Sequence, residues 1–185
     1  GNLKTIRIPA SVSYVSDPYL AFYGCDALQS IEVDNGNSEY KSVNGCLLSK
    51  DGQTFLLVPP GREKLEIPNG VKVLASNACS NQKITSISIP EGVEELDFGV
   101  FAEASSLEQV EFPMTVVKLG DCVFWKAVAL KSVTFQGDVA SIGTWNSNSV
   151  QIDAFGFYFE GVTVPTVSGT SNKPYVRLYV RNPKA

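Results

Sequence analysis

The feature that most constrains this chain is an internal repeat of about 23 residues. The string apolar-x-apolar-Pro occurs at Ile6-Arg7-Ile8-Pro9, Leu65-Glu66-Ile67-Pro68, Ile87-Ser88-Ile89-Pro90 and Val110-Glu111-Phe112-Pro113. Val133-Thr134-Phe135-Gln136 carries it without the proline. The steps 68 to 90, 90 to 113 and 113 to 136 are 22, 23 and 23 residues. A second string follows each first one: Val12-x-x-Val15, Val71-x-x-Leu74, Val93-x-x-Leu96, Val116-x-x-Leu119 and Val139-x-x-Ile142. A third comes next, as Ala21-Phe22-x-x-Cys25-x-x-Leu28, Val100-Phe101-x-x-Ala104-x-x-Leu107 and Val123-Phe124-x-x-Ala127-x-x-Leu130. Ala78-Cys79, closing on Ile84, is a degenerate copy one residue shorter.

Each string has a physical reading. Alternating apolar residues such as Ile6 and Ile8 suit a short strand with one buried face. The proline after them cannot donate to a ladder, so it ends the strand. The Val-x-x-Leu string predicts a second, shorter extended segment. The Ala-Phe-x-x-Cys string predicts a brief helical or 3₁₀ turn that drops its Phe into the core. No single unit can bury its own apolar face. Stacked units share one core and pair their strands in parallel.

These residues resemble the BspA-type leucine-rich repeat of bacterial surface proteins. The fit is clearest over Ile84–Leu107 and Leu107–Leu130, and the resemblance covers about residues 3–143. Three departures stand out: Cys79 replaces the expected Phe, Gln82 sits near the usual Cys position, and two extra residues lie between Val15 and Ala21. The resemblance implies a mainly β, right-handed solenoid of short parallel strands with helical or 3₁₀ turns. It also implies a secreted or surface-displayed bacterial protein linked to adhesion, binding host matrix or cell-surface proteins.

Two stretches break the period. Residues 34–61 are expected to form a β-hairpin insertion, with Val43–Leu48 and Phe55–Val58 flanking Lys50-Asp51-Gly52-Gln53 and Pro59-Pro60-Gly61 closing it. Residues 144–185 are expected to form a C-terminal β cap continuous with the 1–143 solenoid, because the last rung needs cover. Trp145, the aromatic-rich Phe155–Phe159 and strands at 162–165 and 176–180 would build it. The patterned segment begins at Leu3 with no cap before it, so the chain reads as a piece of a longer protein.

Composition narrows the chemistry. The 185 residues contain no histidine, which removes a Ser-His-Asp triad, a Cys-His pair and imidazole-ligated zinc. The formal net charge of −4 argues against nucleic acid, which calls for a basic stripe. No apolar run approaches the roughly 18 residues of a transmembrane helix. Cys25, Cys46, Cys79 and Cys122 show no C-x-x-C spacing. They read as buried thiols behaving as small hydrophobes, with a Cys25–Cys46 disulfide as the alternative. No metal site and no cofactor are expected.

Carboxylates remain as the possible catalytic groups. Glu32 and Glu66 fall at equivalent points of successive repeats, and direct stacking would set them about 5 Å apart, near the spacing of a retaining glycosidase pair. A solvated sheet surface is the competing reading, and it also applies to Glu91, Glu94, Glu95 and Asp97. The Asp34–Glu39 stretch reads as a turn, since it lacks the calcium-loop order.

Two surfaces are candidates for binding. The outward residues of the strand string form a polar ladder that includes Arg7, Glu32, Glu66, Ser88, Glu111 and Thr134. It contains no aromatic residue and so offers no stacking platform. Six rungs about 4.8 Å apart with strands about 13 Å long present about 400 Å², half of the about 800 Å² per partner of a standard interface. The second candidate is the set of aromatics Tyr14, Tyr19, Tyr23 and Trp125, residue types favoured as binding anchors. Packing along the solenoid edge is the alternative. The expected function is a non-enzymatic surface or secreted binding module for a protein or glycan. A passive spacer in a larger surface protein is the second reading, and a carbohydrate-active enzyme the third.

Overall fold

The structure, a computed structural model, describes residues 2–62, 64–80 and 83–137 in full, and the backbone of four strands between 141 and 169. In chain order the elements are β1 (Thr5–Ile8), α1 (Pro18–Ala21), β2 (Ser30–Val33), β3 (Tyr40–Val43), β4 (Cys46–Ser49), β5 (Thr54–Leu57), β6 (Val73–Leu74), β7 (Ser86–Ser88) and β8 (Glu95–Leu96). They continue with β9 (Gln109–Phe112), β10 (Lys118–Leu119), β11 (Ser132–Phe135), β12 (Ser141–Ile142), β13 (Thr144–Ser147), β14 (Val150–Asp153) and β15 (Thr166–Gly169). The result is a mainly β solenoid of about six turns with parallel strands.

The first string of the repeat makes one face and the second string makes another. On the first face β7, β9, β11 and β15 pair in parallel, with Ser88, Glu111 and Thr134 in register. On the second face the two-residue strands β6, β8, β10 and β12 pair in parallel. The same backbone bond recurs down this stack: Val117 N–H donates to Glu94, Glu94 to Lys72, and Lys72 to Gln53.

The proline does more than end a strand. The carbonyls of Pro9, Pro68, Pro90 and Pro113 accept from the amides of Val12, Val71, Val93 and Val116. That bond closes a four-residue turn between the two faces. Gly70 and Gly92 occupy its third position at φ +90° and +97°, the value a type II turn requires there.

The third string is mostly turn. Among the described residues only the first rung has a helix, α1, started by Asp17 at the N-cap and Pro18 at the first position. In the later rungs the chain bends through residues with positive φ, among them Glu103 and Lys126. Their neighbours Phe101 and Phe124 point inward and stack at 5.7 Å, and Phe112 stacks on Phe135 at 4.9 Å. The core runs unbroken from Cys46 to Phe135, and a smaller cluster of Ile8, Phe22, Leu28, Ile31, Leu47 and Leu57 lies under the first rungs.

The 34–61 segment differs from the expected single hairpin. It is a meander of three antiparallel strands, with β3 paired to β4 and β4 to β5. The extra hairpin turns at Asn44-Gly45, both at positive φ, as a tight two-residue turn demands. Its last strand is no excursion. β5 pairs in parallel with β6, Thr54 opposite Val73 and Phe55 opposite Leu74, so β5 fills the place of the second string in its rung.

Beyond the last repeat, β13 and β14 form an antiparallel pair. β15 adds to β11, placing Thr166 opposite Ser132 and Ser168 opposite Thr134. The Trp145 side chain, the 155–159 aromatic segment and the expected strands at 162–165 and 176–180 lie outside the described residues.

Candidate functional surfaces

The polar ladder is split in two. Arg7 and Glu32 are register partners on β1 and β2, a separate two-stranded sheet. Arg7 turns its guanidinium to Asp34 at 3.0 Å. Ser88, Glu111 and Thr134 lie on the other sheet, where Gln136 donates to Glu111 at 2.6 Å. Glu66 belongs to neither sheet. It is exposed and lines an open depression of about 310 Å³ with Lys64, Lys83, Thr85 and Ser86. No ladder pairing among the described residues sets Glu32 beside Glu66, because β2 pairs only with β1 and residues 64–68 form no strand. The depression is open to solvent and lined mainly by polar groups, with Leu65 and Ile84 the apolar residues of its lining.

The acidic group at 91–97 is partly paired across rungs. Lys72 approaches Glu94 at 3.9 Å, and Lys118 bonds Glu95. Lys126 meets Glu103 at 2.8 Å and Lys131 meets Glu108 at 2.8 Å, each pair joining equivalent points of adjacent rungs. Such exposed pairs set register more than they add stability.

The aromatic residues divide by rung. Tyr19 and Tyr23 meet edge to face, ring centroids 5.7 Å apart. Tyr14 is 74% exposed, and Leu20 and Tyr23 are each 65% exposed. Burial raises the Tyr19 phenol above its ordinary value, and the negative charge of Glu103, with lesser effects from Tyr23 and Asp17, adds to the rise. Trp125, at the rung position of Tyr23, is half-buried, with the Lys126 ammonium 4.0 Å from its ring centroid. Leu20 was not singled out by sequence reasoning. The Asp17-Pro18 helix start was the signal that could have placed it on an exposed helical turn.

The cysteines hold no bond to one another where the structure shows them. Cys25, Cys46 and Cys79 are free thiols, and Cys122 is buried. The Cys25–Cys46 disulfide is therefore not formed. Burial pushes the Cys46 thiol up to about 11 against the opposing charge of Arg62, and burial pushes Cys79 higher still. Both are protonated at neutral pH, which makes them poor nucleophiles and poor metal ligands. Asp34 is held below the usual carboxylate range by the Gly36 N–H, with Arg7 adding to the effect. Among the described residues no group of three or more Cys, Asp or Glu side chains is placed to hold a metal ion, and no helix is long and apolar enough to cross a membrane.

A stack of 22- and 23-residue parallel rungs closed by Pro-x-x-Val turns defines a leucine-rich-repeat solenoid. The pattern of the BspA type leucine rich repeat region matches six times, over residues 1–48 and 61–153, and the chain belongs to that family. A leucine-rich repeat protein from Eubacterium ventriosum is similar in structure, with 30% identity and a TM-score of 0.62. The match covers 74% of this chain and 37% of that one. The pneumococcal vaccine antigen PcpA is similar at 22% identity and a TM-score of 0.55, covering 91% of this chain and 42% of that one. This chain thus spans less than half the length of either. Among curated proteins none matches it.

Proposed function

We propose that the chain is a non-enzymatic binding module, displayed on a bacterial surface or secreted, that recognises a protein or a glycan. The observation that carries this reading is the exposed edge of the first rung, Tyr14, Leu20 and Tyr23, while among the described residues most other large aromatics are core. Isolated exposed apolar residues are ordinary, but three within ten positions are a surface suited to a partner. Membership of the BspA-type family supports display outside the cell and a role in adhesion. The protonated buried thiols and the open setting of Glu66 favour binding over catalysis.

We also read residues 144–185 as a cap on the 1–143 solenoid, since β15 extends the β11 ladder. The test of the module is a panel of matrix proteins, cell-surface proteins and glycans, with the fold checked by circular dichroism. Saturable binding to one of them is the expected result. No binding by the folded protein would assign the chain to the role of passive spacer in a larger surface protein.

A further inference from the structure

The negative charge of this protein is unevenly placed. Between Arg7 and Lys41 there are five carboxylates, Asp17, Asp26, Glu32, Asp34 and Glu39, and no basic side chain. The rest of the chain holds fifteen basic and fourteen acidic residues, so the whole excess lies in this stretch. Two of the five, Glu32 and Asp34, belong to or adjoin β2, where Arg7 neutralises Asp34. Asp17 and Asp26 flank the tyrosine edge instead. Asp17 is the N-cap of α1, and Asp26 follows Tyr23 by three residues and is exposed.

This edge therefore combines exposed tyrosine side chains with carboxylates that form no ion pair among the described residues. Tyr14, Leu20 and Tyr23 present on the order of 300–400 Å² of mostly apolar surface. That is about half of what one side of a standard interface buries, which suits a short peptide segment and not a domain face. Exposed tyrosine faces attract cations, and so do the two carboxylates beside them. The sequence supplies no lysine or arginine between Arg7 and Lys41 to satisfy either, and Arg7 itself is taken by Asp34.

We propose that the Tyr14–Asp26 edge docks a short basic polypeptide segment, its apolar side chains against Leu20 and the tyrosines and its Lys or Arg residues over the rings and beside Asp17 and Asp26. The assignment rests on the binding-module reading and names the partner's chemistry. A lone ion pair would not hold such a segment against salt, so the tyrosines supply the short-range contact and the carboxylates the selection by charge.

The experiment uses the full chain and two fluorescein-labelled decapeptides with alternating leucines, one carrying five lysines and the other five glutamates. Fluorescence anisotropy is expected to show the lysine peptide binding at least tenfold tighter than the glutamate peptide, and less tightly as salt is raised. Tyr14→Ala with Tyr23→Ala should weaken it at least tenfold. Asp17→Asn with Asp26→Asn should weaken it several-fold while asparagine keeps the α1 cap. Glu108→Gln, which removes a carboxylate paired with Lys131, should leave it unchanged, and thermal melts check each fold. Absent binding of the lysine peptide, equal binding of the two peptides, or tight binding by the tyrosine variant overturns the proposal. Concentration-dependent dimers of the parent chain that the tyrosine variant loses would give this edge to a second copy and overturn it too. A panel partner whose binding ignores Tyr14 and Tyr23 would sink this assignment and leave the module reading standing.

Discussion

The Asn37 side-chain amide reaches back across the first rung to donate to the carbonyl of Pro9 at 2.9 Å. It also donates to Val12 at 2.8 Å, while its oxygen accepts from the amides of Glu39 and Tyr40. One side chain, 1% exposed, thus fixes the start of the meander to the turn of the preceding rung. Asn37→Ala leaves these buried backbone groups without their partner and should cost about 2–4 kcal/mol. Asn37→Asp keeps the acceptor side but turns a charged oxygen toward two carbonyls, so it should be no better. Urea unfolding reads the loss as a lower midpoint at unchanged slope.

The Phe ladder makes a second prediction. Phe124 stacks on Phe101 and meets Phe112 edge to face at 6.2 Å, and is 1% exposed. Phe124→Ala opens a cavity at the point where three rings converge and should cost about 3–5 kcal/mol. Val128→Ala, four residues on and exposed, should change stability by less than about 0.5 kcal/mol. Thermal melts of the two variants side by side test the pair, and equal melting temperatures would contradict the inward reading of the third string.

Much of this architecture was legible because the repeat imposes one residue type on one place. Ile87, Val110 and Val133 are apolar every 23 residues, and all three are buried in register. The meander was less legible, because Asn44-Gly45 sits inside an otherwise apolar run and was read as strand. Nothing local says that β5 fills a rung, since its partner β6 lies nearly twenty residues on. Sequence reasoning named the three tyrosines but not their setting. The helix that exposes Leu20 follows from Asp17-Pro18, a capping signal masked by reading two residues between Val15 and Ala21 as an insertion. Glu32 and Glu66 misled for a related reason: equivalent places in the repeat are neighbours only where consecutive rungs are both strands.

Two glycines serve different needs, and alanine substitutions should separate them. A Cβ at Gly120 would stand 2.6 Å from the carbonyl carbon of Asp97 and 2.8 Å from its oxygen, so adjacent rungs would have to part. Gly120→Ala should cost about 1–3 kcal/mol through overpacking. Gly92 has ample space, its nearest atom 4.0 Å from the added Cβ, but it holds φ at +97°. Gly92→Ala should cost about 1–2 kcal/mol through backbone conformation alone. Gly92→Asn should recover part of that loss, because asparagine tolerates positive φ, whereas Gly120→Asn should be worse than Gly120→Ala. Unfolding midpoints in which Asn rescues both sites would refute the steric account of Gly120.

Asp34 and Asp97 should tilt the stability curve in opposite directions. Burial holds the Asp97 carboxyl above its ordinary 3.8, the Glu95 carboxylate adds to the rise, and Lys118 opposes it. The folded state therefore holds that proton more tightly than the unfolded chain does. Its contribution is full below 3.8 and is lost as pH rises through the folded value. Asp34 works the other way, held below 3.8 by the Gly36 N–H first and the Arg7 guanidinium after it. Its contribution is present above 3.8 and is lost as pH falls through the lowered value. Asp97→Asn should thus flatten the fall in stability from pH 4 toward neutrality and raise stability at pH 7 relative to the parent. Asp34→Asn should lower it at pH 7, and the gap to the parent should narrow as pH falls below 3.8. Unfolding midpoints at pH 3, 4, 5, 6 and 7 read both slopes, and an Asp97→Asn curve parallel to the parent would show that this carboxyl titrates alike in the folded and unfolded chain.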